Sequence, residues 1–380
     1  MTRFAIVGAG MIGTAVACEL AEAGADVVLV HDGPVGGGAT AAGMGHLVAL
    51  PGSPGQTELT QRSLALWRSH SLPDDCETLC CGTLWVARDT RELEELVSQA
   101  WVLRDAGTPA ELIPAKRLRV LEPELRPDLA GGLRVLSDRA IYAPRAAAEL
   151  WRRAHSAGAR RRQARVAAVA AGQIQMANGT TLEADCVVLA AGDRSRLLWP
   201  QLPVRPRKGH LLITTRRATP FIYHQIIEAG YTRSAHGRAD ASVACNVQPR
   251  PTGQVLIGSS RQEGIEHADV EPAILQRMLQ RAATYLPGIE RLTALRAWTG
   301  MRAATPDGEP LIGWIEDGLA VATGHEGLGI TQAPATAELL SQLVLGWRPT
   351  IDPAPYCPQR FAAKPARRPD PERHALGAVP

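Results

Sequence analysis

No apolar run in the 380 residues reaches the roughly 18 that a membrane-spanning helix needs, and no charged leader or cleavage site precedes the first apolar stretch. A soluble chain working in the cytoplasm is therefore expected. A dominant charge is missing too: 41 basic and 38 acidic residues leave a net +3 and are interspersed, which argues against a broad surface for nucleic acid or membrane. Lysine is nearly absent, with only Lys116, Lys208 and Lys364, so almost all positive charge is guanidinium. The single basic cluster, Arg160-Arg161-Arg162, reads as a solvated bend ahead of a strand. Usual metal-ligand spacing is also lacking. The seven cysteines (18, 76, 80, 81, 186, 245 and 357) are odd in number, and several lie inside apolar patterns. Cys76, Cys80 and Cys81 have no histidine close by in sequence, so no metal and a reducing compartment are expected.

What is present begins at once. Phe4 to Val7 form a short apolar strand, followed by Gly8, Gly10 and Gly13 at the spacing of a dinucleotide-binding turn. Gly8 permits the turn, Gly10 lets backbone approach a pyrophosphate, and Gly13 lets the next helix lie close to the strand. That helix, opening at Met11 and Ile12, aims its positive dipole end at the pyrophosphate. A second strand, Ala25 to Val30, leads to the place where a carboxylate normally meets the ribose hydroxyls. By register His31 occupies that place, and Asp32 comes one residue late. Next, Gly36 to Leu47 is a run of small residues suited to wrapping a large ligand: Thr40, Ala41, Ala42, Gly43, Met44 and Gly45 lead to His46 and Leu47. His46 is a candidate for the reacting centre or for covalent attachment, with orientation of a hydroxyl or carbonyl as its ordinary role.

Helical spacing recurs over Gln56 to Ser69, Thr90 to Ala106 and Pro144 to Ala157. Ala164 to Ala170 reads as a strand, and Asn178-Gly179 as a hairpin turn. Leu182 to Asp193 holds a buried apolar strand running directly into Ala190, Ala191 and Gly192, expected to join the first sheet in parallel. Residues 203 to 290 alternate between apolar and polar positions, as in an antiparallel sheet. Near the end come Trp298-Thr299-Gly300-Met301-Arg302 and Gly324-His325-Glu326-Gly327-Leu328-Gly329-Ile330-Thr331, the latter opening a helix whose N-terminus suits negative charge. After Pro349 the chain turns proline-rich and basic, and 362–380 read as a disordered tail.

Together, the Gly8 to Gly13 turn, the loop at 36–47, the Val187 to Gly192 strand end and the two C-terminal motifs resemble the glycine oxidase and D-amino-acid oxidase superfamily of FAD enzymes. The resemblance covers residues 1 to about 361. It implies FAD as cofactor, Val166 against the adenine, Gly327 to Thr331 facing the flavin, and oxidation of a C–N bond by hydride transfer to flavin N5. Within the superfamily, residues 38–47, Glu228-Ala229-Gly230-Tyr231 and Ile257-Gly258-Ser259-Ser260-Arg261 look most like bacterial D-hydroxyproline dehydrogenases. Opine oxidase and hydrogen cyanide synthase subunits are similar relatives that work beside redox partners.

The expected fold is α/β: a Rossmann-like FAD-binding domain (1–55, 137–202 and 291–361) and a second α+β substrate domain built on an antiparallel sheet (56–136 and 203–290). Arg302 is the first choice for a substrate carboxylate, because guanidinium offers a planar fork to two oxygens. Tyr231 and His224 are candidates for the pocket wall. No obligate acid or base is named, since a neutral amine needs none. Three activities stay open: a dehydrogenase of a cyclic D-imino acid passing electrons to a carrier or partner subunit, an oxygen-using oxidase of glycine, sarcosine or another small amine, and a non-catalytic flavin-binding subunit.

Overall fold

The computed structural model describes residues 1–231 and 241–361. The first strand, Arg3–Val7, is buried on both faces from Phe4 onward, as its unbroken apolar run requires. It lies inside a six-stranded sheet in the order Leu311–Glu316, Leu319–Thr323, Cys186–Leu189, Arg3–Val7, Asp26–His31, Arg160–Gln163. All neighbours run parallel except Leu311–Glu316, which returns antiparallel beside Leu319–Thr323. Phe4 and Ile6 face a layer of three helices, Met11–Glu22, Ala143–Ser156 and Gly329–Val344. Ala5 and Val7 face the opposite way, onto Ile174 and Met176 of a three-stranded meander, Val166–Ala170, Gln173–Met176 and Thr181–Glu183. The expected turn at Asn178-Gly179 joins the last two of these, with Gly179 at φ +83°.

A second sheet of eight strands has the order Ala294–Ala304, Arg205–Thr214, Val255–Glu263, Ala241–Pro249, Gln225–Glu228, Thr83–Ala87, Gly131–Val135, Glu111–Pro114. One face carries Leu212, Ile226, Cys245, Val247 and Ile257, which bury against Met278 and Ala282 of helix Pro272–Ala283. The other face looks toward the glycine-rich loops.

Several expectations need correction. Arg160-Arg161-Arg162 is an edge strand beside Asp26–His31 and not a bend; its guanidiniums reach outward, Arg160 to Asp26 and Arg162 to Thr180. The substrate sheet is not wholly antiparallel, because Gln225–Glu228 runs parallel to Thr83–Ala87 across the junction of its two sequence segments. Ala294–Ala304, expected in the FAD-binding domain, pairs along its whole length with Arg205–Thr214 and so belongs to the substrate sheet. The expected tail at 362–380 lies outside the described residues. No helix among those residues is long and apolar enough to cross a membrane, and no group of three or more His, Cys, Asp or Glu side chains there is placed to hold a metal.

Candidate active site

The turn after the first strand is as tight as its glycines imply. Gly8 sits at φ +111°, and a Cβ there would fall 2.5 Å from the Ala190 carbonyl oxygen. A Cβ on Gly13 would fall 1.9 Å from Gly8 O, so helix Met11–Glu22 approaches its strand more closely than any side chain permits. Gly10 is different: a Cβ there would meet only Thr40 Oγ1, at 3.3 Å, leaving a bare backbone surface. The helix begins with no side-chain cap and no acid in its first turn, while Met11 N–H donates to Thr40 Oγ1 at 2.9 Å. Gly36 N–H donates to Ala9 O at 2.7 Å and anchors the small-residue loop beside the turn.

At the end of strand Asp26–His31 it is His31 that is buried, its Nδ1 donating to Gly33 O at 2.5 Å. Asp32 is half exposed and lies 3.8 Å from Arg194. Ala164 N–H donates to His31 O at 2.8 Å, which brings the start of Val166–Ala170 alongside. Gly192, at φ +59°, accepts from Thr323 Oγ1 at 2.9 Å and closes the far side beyond Ala191.

Some 260 to 290 residues of chain separate the two groups that meet at the other end. A Cβ on Gly300 would lie 2.4 Å from the Ala42 Cβ, and Trp298 Nε1–H donates to Ala42 O across 256 positions. A Cβ on Gly43 would lie 3.0 Å from the Ile330 side chain. Thr331 Oγ1 donates to His46 O at 2.9 Å across 285 positions. Met44 is buried with Leu211 and Leu256, its sulfur pressed toward Gly258, and Leu47 closes the strand His46–Leu47. Helix Gly329–Val344 opens from Leu328 with no side-chain cap and no acid in its first turn. These features fit the expected FAD. A bare glycine surface and an uncapped helix end suit the pyrophosphate, and a second uncapped helix end, beyond Gly327, suits the electron-rich flavin edge.

Arg302 stands opposite Arg207, and Gly300 opposite Gly209, so all four project from one face of the sheet. The Arg302 guanidinium lies flat over Gly209, where a Cβ would be 2.4 Å from Nη1, and Nη1 donates to Ser260 O at 3.1 Å. It has no carboxylate partner among the described residues. Burial, then the neighbouring Arg261, presses its pKa below the ordinary value. Arg261 stacks over the Tyr231 ring at 4.7 Å. For the Tyr231 phenol, burial works upward, yet Arg261 and Arg302 outweigh it and the net direction is down. Trp85 meets the Tyr231 ring edge-on at 6.3 Å. Arg261 thus links Tyr231 and Arg302 in one patch.

His46 joins from the loop side. Nδ1 donates to Gln225 Oε1, and Nε2 accepts from Asn246 Nδ2 at 3.2 Å. Burial lowers its pKa to about 4, so the ring is neutral at pH 7 with both nitrogens engaged. That geometry suits orientation and leaves neither nitrogen free for covalent attachment. His224 is a correction: it precedes strand Gln225–Glu228, and its ring bonds Glu122 Oε1 at 2.7 Å, whereas Gln225 bonds His46.

Sequence reading missed Arg207, Arg261, Glu326, Gln225 and Asn246. Glu326 did carry a signal, as a charged residue inside a glycine turn. The amides carried none, since Asn and Gln in alternating strands look like any solvated face.

Comparison with known proteins follows the same outline. The family model DAO, FAD dependent oxidoreductase, matches residues 3–343. Glycine oxidase of Pseudomonas aeruginosa is 31% identical over 386 residues, covering 94% of this chain and 98% of that protein. A D-amino acid dehydrogenase of Cereibacter sphaeroides is 29% identical over 318 residues, covering 77% and 69%. The crystal structure of glycine oxidase from Geobacillus kaustophilus superposes with a TM-score of 0.85 at 28% identity, covering 96% of this chain and 100% of that one.

Proposed function

The chain belongs to the DAO family of FAD-dependent oxidoreductases, and from that premise we propose that it oxidises the C–N bond of a small D-amino or cyclic D-imino acid, such as D-hydroxyproline, to the imine, delivering electrons to a carrier or partner. The observation that carries this reading is Arg302: a half-buried guanidinium, stacked on Gly209 and without a carboxylate partner among the described residues, on the sheet face that meets the glycine-rich loops. A monocarboxylate arriving there supplies the missing counter-charge through a two-oxygen fork.

When bound, FAD supplies the two-electron acceptor for the substrate's hydride. The chain's own residues hold the substrate. Arg302 grips the carboxylate, and Tyr231, braced by Trp85 and Arg261, forms one wall. Met44, Leu211 and Leu256 exclude water beside it. His46, kept neutral, fixes Asn246 and Gln225 in place and takes no proton in the cycle. With no base required, the amine enters unprotonated, so the rate should rise with pH toward the amine's own pKa.

A second reading, an oxygen-using oxidase of glycine or sarcosine, is favoured by the glycine oxidases at 28–31% identity. Anaerobic bleaching of the flavin against D-hydroxyproline, D-proline, sarcosine, glycine and opines tests the substrate, and reoxidation of the reduced flavin in air tests the acceptor. Bleaching by the D-proline pair with slow reoxidation is expected. No bleaching by that pair would sink the leading substrate, and rapid reoxidation would install the oxidase.

A further inference from the structure

Glu326 is the one charged residue in the turn that opens helix Gly329–Val344, and it adopts φ +46°, a conformation that favours glycine. Glycines stand nearby at 324, 327 and 329, so the chain could relax this position with a fourth. A glutamate kept there against its backbone preference points to a use for the side chain. The backbone is pinned by Glu326 N–H donating to Ala303 O at 2.8 Å. The carboxylate then crosses to the substrate sheet, where its Oε1 accepts from Arg207 Nη1 at 2.7 Å and from Arg261 Nε at 3.4 Å. Burial opposes its ionisation, but Arg261, Arg207 and Arg302 outweigh it and hold the carboxyl below its ordinary range.

Three guanidiniums therefore crowd one patch: Arg207, Arg261 and Arg302. Glu326 answers Arg261, and it shares Arg207 with Glu263. Among the described residues this leaves one positive charge unmatched, on Arg302. We propose that Glu326 is a specificity-determining residue, its carboxylate filling the second anion position that Arg261 and Arg207 would otherwise offer, so that the site takes amino or imino acids with one carboxylate and discriminates against those with two. The proposal rests on Arg302 being the carboxylate anchor.

The test titrates flavin-loaded wild type, Glu326→Gln and Glu326→Gly with acetate and with malonate, following the flavin absorption spectrum. Glu326→Gly relieves the backbone, so loss of fold does not obscure the result. Wild type should bind acetate at least about tenfold more tightly than malonate, and both variants should narrow that gap by about tenfold or more through tighter malonate binding. A ratio that moves by less than about threefold in both variants, or a wild type already preferring malonate, overturns the role of Glu326. Arg302→Ala separates the two levels. If it weakens acetate while the Glu326 variants leave the ratio unmoved, only the present proposal fails; if it leaves acetate binding intact, the carboxylate anchor fails and takes this proposal with it.

Discussion

Adding one methyl group at Gly209 should damage substrate binding far more than folding. The Cβ of Gly209→Ala would sit 2.4 Å from Arg302 Nη1, 2.7 Å from Nη2 and 2.8 Å from Cζ, whereas ordinary contact begins near 3.4 Å. The obstacle is the end of a long side chain and not backbone, so the guanidinium yields by about 1 Å and swings off the glycine surface; the cost to stability should be on the order of 1 kcal/mol. The cost to binding is larger. A charge-assisted hydrogen bond contributes about 1.5–3 kcal/mol, equivalent to roughly 10- to 150-fold, and a two-oxygen fork tolerates little displacement. Rapid-mixing reduction of the flavin under anaerobic conditions gives both the substrate dissociation constant and the limiting rate. The expected result is a dissociation constant raised about tenfold or more, the same flavin content, and a melting temperature lowered by only a few degrees. Arg302→Ala should show the same pattern at full size. An unchanged dissociation constant in Gly209→Ala, alongside a large change in Arg302→Ala, would mean that the guanidinium does not rest on this glycine when substrate is bound.

Two further outcomes follow from the geometry. Gly8→Ala forces a side chain onto φ +111° and against the Ala190 carbonyl, at a cost on the order of 1–3 kcal/mol, so the purified variant should carry less flavin and melt earlier, read from its absorbance ratio and unfolding curve. His46 has a folded pKa of about 4, below its ordinary 6.5, so the stability it adds is complete above pH 6.5 and is lost as pH falls toward 4, by at most about 3 kcal/mol. Buried Asp138, raised to about 7, acts in the opposite direction as pH rises from 3.8, and His325 shares the sign of His46. Urea unfolding of wild type and His46→Gln across pH 4 to 7 should therefore diverge toward high pH, and parallel curves would remove His46 as the source.

Much of the nucleotide half was legible because its constraints are local. Strand, turn and helix follow each other within about thirty residues in such a unit, and each glycine answers a contact a few residues away or on the adjoining strand. The parallel strand expected within Leu182 to Asp193 forms over Cys186–Leu189 and pairs directly with Arg3–Val7, as its two-sided burial requires. The substrate half was harder to read. Ala294–Ala304 follows the last helix of one segment and precedes motifs of the other domain, and only its pairing with Arg205–Thr214 assigns it. His224 and Gln225 are neighbours in sequence, yet one bonds Glu122 before the strand begins and the other, its first residue, bonds His46.

The sequence alone pointed to a dinucleotide on the first turn, to a second glycine turn opening the last long helix, and to Arg302 as the candidate for a carboxylate. All three depend on backbone freedom or on the chemistry of a single side chain, and both are properties of residue type. Only the tertiary structure decided the charge around Arg302. Arg207, Arg261, Glu263 and Glu326 come from two separate strands and a turn, and whether each guanidinium is matched or left open depends on distances of about 3 Å that no spacing along the chain encodes.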